Sequence, residues 1–171
     1  LGLALHNYHD TFNVFPYGEM NGMGQSPAAG RKMNQNGLVM LLPYLEQGNL
    51  YSTLNFSAPF GKYAGAGVTP PAADVPTANN LAASRTKLAA FICPSDNGIP
   101  FINDDAIYYG CGSSGTSFKS SYGLSVNATH LNGSWSAVGI TARTAFGGNS
   151  YATMRDFTDG TSNSVLIVEN V

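Results

Sequence analysis

The order of hydrophobic patterns along the chain limits its fold more than any other feature of the sequence. Apolar residues with helical spacing dominate the first half, and short apolar runs typical of strands dominate the second half. Regular alternation of helices and strands would indicate a parallel sheet, whereas helices followed by strands indicate an antiparallel one. We therefore predict an α+β fold with an antiparallel sheet and long irregular loops.

The first helical pattern starts at the first residue. Its apolar positions share one helix face, at Leu1, Leu5, Tyr8 and Phe12. This spacing predicts a helix over residues 1–11, which the segment 15–18, containing Pro16, ends. We expect the apolar face to pack on a sheet formed by residues 88–92 and 165–168.

A second helical pattern covers residues 38–54 and contains Pro43. Since proline cannot donate a hydrogen bond within a helix, we predict either a kinked helix or a helix that begins at Pro43. Gly48 is a predicted break, and a short helix is predicted over residues 79–87.

The remaining patterns predict strands and one late helical turn. Strands are predicted over residues 88–93, 121–126, 137–144 and 165–168. Ser150 is the predicted cap of a short helix that ends at Phe157, and Asp159-Gly160 is typical of a turn.

The composition bounds the class of protein. The 171 residues suffice for one domain with a single hydrophobic core. Only 11% of them are charged, against about a quarter in typical soluble domains. This fits an extracellular protein, or a subunit that packs against copies of itself. The net charge of -2 and the absence of a Lys/Arg cluster argue against nucleic acid as a partner.

The two cysteines, Cys93 and Cys111, allow one intramolecular pairing and match no metal-binding motif. In an oxidising compartment, a disulfide between them would add about 3 kcal/mol to the free energy of unfolding. Two separate buried thiols explain the sequence equally well, so both interpretations remain open.

One polar segment near the end of the chain is a candidate calcium site. Carboxylate, hydroxyl and amide oxygens, which calcium prefers, are supplied there by Asp156, Asp159, Thr161 and Asn163. The spacing differs from that of an EF-hand. The alternative, which we favour, is a turn closed on itself, with a positive φ at Gly160 and backbone hydrogen bonds from Asn163. No other cofactor is expected.

Catalytic groups are not expected to come together in this chain. His6 and Asp10 are four residues apart on one helix face, and we predict a structural contact rather than a metal site. No serine has the spacing of a nucleophile elbow with histidine and acid partners. We therefore expect a protein that is not an enzyme.

Several segments together resemble a bacterial family of prepilin-like proteins of unknown function, similar to type II secretion pseudopilins. The matching segments are LGLALHNYHD (Leu1–Asp10), LLPYLEQ (Leu41–Gln47), FICPSD (Phe91–Asp96) and RDFTDGTSN (Arg155–Asn163). The resemblance implies one pilin-like head over residues 1–171, with residues 1–12 as the end of a long N-terminal helix. A membrane-spanning segment is expected upstream and a further C-terminal segment after Val171.

The resemblance also implies a function. We expect a structural or assembly subunit of the cell envelope, a component of a pilus- or pseudopilus-like filament, membrane-anchored at full length and facing the exterior. Its partners would be copies of itself or other pilin-like subunits. The alternative is an extracellular binding module for a sugar, a peptide or a metal ion.

Overall fold

The first helix packs as its sequence pattern requires. The computed structural model describes residues 1–20, 33–61, 75–98, 101–103, 116–126, 139 and 143–169. Helix α1 covers Gly2–Phe12 and buries Ala4, Leu5 and Tyr8 along one face. It ends where Asn13 adopts a left-handed conformation (φ 59°) and donates its backbone N–H to the carbonyl of His9 at 2.6 Å.

A long 3₁₀ helix follows and is the main partner of α1. It covers Gly37–Leu45, and we call it the 3₁₀ segment. The side chain of Asn36 caps it by accepting a hydrogen bond from the backbone N–H of Leu38 at 2.9 Å. Pro43 lies inside it, so neither a kinked α-helix nor a helix that begins at Pro43 is correct. The segment ends at Glu46, which has a φ of 59°.

The remaining helices are short. Helix α2 covers Gly48–Ser52, and helix α3 covers Ala78–Ser84. Further 3₁₀ turns cover Ala89–Phe91, Met154–Asp156 and Thr161–Asn163. The predicted helix near residues 79–87 is confirmed, whereas the break predicted at Gly48 falls at Glu46 and Gln47, and Gly48 begins α2.

The strands of the described residues form antiparallel pairs, β1 with β2, β3 with β4 and β5 with β6. They cover Glu19–Met20, Gln35–Asn36, Phe101–Asn103, Thr116–Phe118, Tyr122–Leu124 and Ile167–Glu169. In the last pair, Tyr122 lies opposite Glu169 and Leu124 opposite Ile167. The mixture of helices and small antiparallel sheets confirms the α+β prediction.

One hydrophobic core joins the two halves of the chain. Its buried members come from α1, the 3₁₀ segment and the later strands and turns: Ala4, Leu5, Tyr8, Phe15, Leu38, Leu41, Leu42, Phe91, Leu124, Ala145 and Phe146. Phe15 is fully buried, and its ring lies 5.6 Å from that of Phe157 and 6.2 Å from that of Phe146. Just after α1, the chain therefore enters the centre of the molecule.

Two predictions about the packing of α1 are wrong. The helix packs mainly on the 3₁₀ segment rather than on a sheet, because residues 88–93 do not form a strand. The backbone N–H of Phe91 instead donates to the carbonyl of Leu88 at 3.0 Å, which closes a 3₁₀ turn. Phe12 remains 54% exposed, although its ring lies 4.6 Å from that of Tyr8.

The C-terminal predictions are partly wrong. The helical turn predicted to start at Ser150 begins after Thr153, which forms a capping box with Asp156. The predicted core strand at residues 165–168 is displaced to Ile167–Glu169, and Val165 is 62% exposed, because β6 pairs with β5 at the surface. Most of the strand predicted at residues 137–144 lies outside the described residues.

Candidate functional site

The candidate calcium segment begins with a hydrogen-bonded cap. The Oδ2 atom of Asp156 accepts hydrogen bonds from the Thr153 hydroxyl at 2.6 Å and from the Thr153 backbone N–H at 2.7 Å. The backbone N–H of Asp156 donates to the Thr153 carbonyl in return, at 3.0 Å. These bonds from Thr153 hold the pKa of the Asp156 carboxyl below its ordinary value, because they stabilise the ionised form.

The following turn is closed by its own backbone. Gly160 has a φ of 85°, a conformation that side-chain-bearing residues rarely adopt. The Asn163 side chain donates its Nδ2–H to the carbonyl of Asp159 at 2.7 Å. Both details are those predicted for a turn closed on itself.

Two of the four candidate ligands line the same cavity. Asp156 and Asp159 line a polar cavity of about 300 Å³ beside Arg143 and Ser125, whereas Thr161 and Asn163 are not part of its wall. In the described part of the chain, no three His, Cys, Asp or Glu side chains are grouped as metal ligands. The Asp156 carboxylate already accepts hydrogen bonds from Thr153, and the Asn163 side chain donates its Nδ2–H to the Asp159 carbonyl. The geometry therefore favours the turn. Calcium binding here stays a prediction.

A second, larger cavity is predominantly apolar. It has a volume of about 540 Å³ and lies between the 3₁₀ segment, α2, α3 and β4. Its apolar walls include Leu42, Leu50, Leu54, Phe60, Phe91 and Phe118. None of the described residues that line it is charged. This volume and chemistry are typical of small-molecule sites, and no sequence pattern indicated the cavity.

The FICPSD segment (Phe91–Asp96) is held in place by contacts of its last residue, Asp96. The Asp96 carboxylate accepts hydrogen bonds from the Gly98 backbone N–H at 2.8 Å and from the buried Ser121 hydroxyl at 3.0 Å. Lys119 Nζ lies 3.7 Å from the same carboxylate. The Gly98 bond, the Ser121 bond and the Lys119 charge together lower the pKa of Asp96.

The cysteine prediction can be followed at only one of its two positions. Cys93 is buried. The pKa of the Tyr122 hydroxyl is raised by the burial of Tyr122 itself and by the adjacent Cys93 sulfur. Cys111 lies outside the described residues, so the disulfide between Cys93 and Cys111 stays a prediction.

The structural contact predicted between His6 and Asp10 on α1 is not formed. The Asp10 carboxylate is instead approached by Nδ1 of its neighbour His9, at 4.0 Å. The His9 ring also lies 4.9 Å from that of Phe15, which draws it toward the core. Both His6 and Asp10 are exposed.

The polar residue that sequence analysis missed is Asn80. Its side chain is fully buried, and its Oδ1 accepts from the Asn55 backbone N–H at 2.9 Å. Its Nδ2 donates to the carbonyls of Asn55 and Pro59, both at 3.0 Å. The available signal was Thr77 three residues earlier, which caps α3; nothing in the sequence indicated the distant loop.

Comparison with known proteins identifies the family but no individual relative. No curated protein and no solved structure resembles the chain closely enough to count as a match. In the described residues, no helix is both long and apolar enough to cross a bilayer. One family model matches residues 1–171, and its description is "Protein of unknown function (DUF1559)". The chain therefore belongs to the DUF1559 family of proteins of unknown function, which it matches over all 171 residues.

Proposed function

We propose that this protein is a non-enzymatic structural or assembly subunit of the bacterial cell envelope, a component of a pilus- or pseudopilus-like filament. The observation that carries the proposal is that helix α1 packs on the core with one face and exposes the other. Leu5 and Tyr8 attach one face of the helix to the core, while the opposite face is exposed and includes Leu3, which is 75% accessible. An exposed large apolar residue on a firmly attached helix suits contact with a neighbouring subunit.

The segments that resemble prepilin-like proteins support this proposal through their role in the fold. Each contributes to the same core: Leu5 from the first, Leu41 from the second, Phe91 from the third and Phe157 from the fourth. Residues that maintain a scaffold are expected where a family shares a shape used for assembly. The low charged fraction of 11% also suits closely packed subunits.

Cysteine crosslinking in bacteria that express the complete gene tests the proposal. Leu3→Cys places a thiol on the exposed face of α1, and a short bismaleimide is then added to intact cells. We expect covalent dimers and higher multimers, because neighbouring subunits bring their α1 helices together in a filament.

Ser52→Cys is the matched control, since Ser52 is an exposed residue at the end of helix α2. The unsubstituted protein measures the background from Cys93 and Cys111. Multimers in Leu3→Cys alone would support assembly through α1. Equal crosslinking of all three proteins, or none in any of them, would contradict it.

The second candidate is an extracellular binding module, which the apolar cavity of about 540 Å³ favours. A binding module would remain monomeric in the crosslinking experiment. A filament subunit could carry the same cavity.

A further inference from the structure

The chemistry of the apolar cavity specifies its ligand more closely than its volume does. A cavity of about 540 Å³ lies within the range of about 300–1,000 Å³ that is typical of small-molecule sites. Moving a charged group into such surroundings is costly without a partner of opposite charge. Because no described lining residue is charged, the cavity selects an uncharged molecule.

The hydroxyl groups in the wall of this cavity act as hydrogen-bond acceptors. The hydroxyls of Ser84, Thr86 and Ser120 each donate their proton to a backbone carbonyl, at 2.8, 2.9 and 2.7 Å. A hydroxyl whose proton is committed retains lone pairs and acts as an acceptor. Ser84 and Thr86 therefore offer acceptors to a bound molecule, and Ser120 offers only the lone pair left after it accepts the Tyr122 backbone N–H at 3.1 Å.

Asn34 adds an acceptor of the same kind. It lines the cavity, and its Nδ2 donates to the Gly61 carbonyl at 3.4 Å. Its Oδ1 is enclosed and has no hydrogen-bond partner among the described residues. An enclosed acceptor without a partner costs stability, so a donor that reaches it would bind favourably.

We propose that this cavity binds an uncharged, mostly apolar small molecule that carries a hydrogen-bond donor, such as a hydroxyl or an N–H group. The apolar walls formed by Leu50, Leu54 and Phe60 would enclose its hydrocarbon part. The acceptors of Asn34 and Ser84 would receive its donor. This site is independent of the exposed face of α1, so it goes beyond the proposed assembly function.

Naphthol, its methyl ether and naphthalene sulfonate are probes that share one ring system and differ in the donor and the charge. Fluorescence titration of the 171-residue chain should show saturable naphthol binding. The ether should bind about fivefold more weakly, as expected for the loss of one hydrogen bond, and the sulfonate at least about tenfold more weakly. Equal affinities for naphthol and its ether, or tighter binding of the sulfonate, would overturn the assigned chemistry.

Substitutions that fill the cavity locate the site. Ala83 on α3 lines the cavity, whereas its neighbour Ala82 is exposed. Ala83→Phe should weaken naphthol binding at least about tenfold, and Ala82→Phe should leave it unchanged. If Ala83→Phe does not fold, Val39→Phe is used in its place, because it fills the cavity from the 3₁₀ segment. Unchanged binding in a folded cavity-filling variant, or no naphthol binding to the original chain, would overturn the proposal.

Discussion

Asn80 holds a loop in place through one amide group. Its side chain is 0% exposed and satisfies the backbone of Asn55 and Pro59, far from α3 in the sequence. Asn80→Ala would leave these buried groups without partners, each at a cost of about 1–3 kcal/mol. We expect the free energy of unfolding, measured in urea, to fall by about 2–4 kcal/mol.

Asn79→Ala is the control for that change. Asn79 is the preceding residue of α3, and its hydrogen bond to the Thr53 carbonyl, at 3.2 Å, is exposed. Its removal should cost less than about 1 kcal/mol. Equal losses in the two variants would show that burial of the Asn80 amide contributes nothing.

Asp156 should make the stability depend on pH. Bonds from Thr153 lower its pKa in the folded chain below the ordinary 3.8, so this stabilisation is complete above that value. It is lost as the pH falls through the folded pKa, because the carboxyl becomes protonated. Thr153→Val should therefore lower the free energy of unfolding at pH 7 by about 1 kcal/mol, the usual value of a cap.

The difference between Thr153→Val and the original chain should then shrink when the pH is lowered below about 4. Thr158→Val, an exposed substitution outside the cap, supplies the control. A Thr153→Val difference that stays constant from pH 7 to about pH 3 would show that the bond to Asp156 does not depend on ionisation.

Asp159 decides between the turn and the calcium site. In a closed turn, the Asn163 side chain donates to the backbone carbonyl of residue 159, which does not depend on the side chain there. Asp159→Asn should therefore be tolerated. We expect the melting temperature to be the same with excess calcium and with a chelator. A rise with calcium that disappears in Asp159→Asn would instead establish the metal site, because a ligand that binds only the folded state must stabilise it.

Helix α1 depends on its aromatic residues to very different degrees. Tyr8 and Phe12 belong to the same predicted face, yet Tyr8 is 8% exposed and Phe12 is 54% exposed. Tyr8→Ala should lower the free energy of unfolding by about 3 kcal/mol, whereas Phe12→Ala should cost about 1 kcal/mol. Equal losses in urea denaturation would mean that the end of α1 is packed more closely than the structure shows.

At the scale of elements, local signals predicted some features and misled in others. Residues 1–11 were a sound prediction because one regular apolar face specifies α1. The run at residues 88–93 was misread as a strand, since a short apolar run fits a buried strand or a helical turn equally well. The capping box at Thr153 has a signal in the sequence, because an acidic residue stands three positions later, whereas Ser150 has no such partner.

At the scale of the molecule, the cavities and the Asn80 contacts could not be predicted. They join residues distant in the sequence, and no local pattern records which loops meet. The polar cavity brings Ser125 beside Asp156, and the apolar cavity brings Leu50 beside Phe118. Chemistry that depends on such meetings becomes visible only after the whole chain has folded.

The N-terminal and C-terminal parts are joined through residues 15–18. The backbone N–H groups of Phe15 and Gly18 donate to the carbonyls of Ala152 and Gly147, at 2.7 and 2.9 Å. Gly18 in turn accepts a hydrogen bond from the N–H of Gly37 at 3.0 Å. Residues from three separated parts of the chain therefore meet at this point.

Gly37 is where this junction leaves no room for a side chain. A Cβ atom there would lie 1.7 Å from the Tyr17 carbonyl oxygen and 2.9 Å from Cδ1 of Leu124, so the backbone itself would have to move. Gly37→Ala should lower the free energy of unfolding by at least about 3 kcal/mol, the upper range for overpacking.

Gly48→Ala is the matched control, because nothing lies within 4 Å of its Cβ position at the start of α2. That change should be neutral or stabilise by up to about 1 kcal/mol. If Gly37→Ala unfolds at the same urea concentration as Gly48→Ala, the close approach of Tyr17 to Gly37 does not constrain the fold.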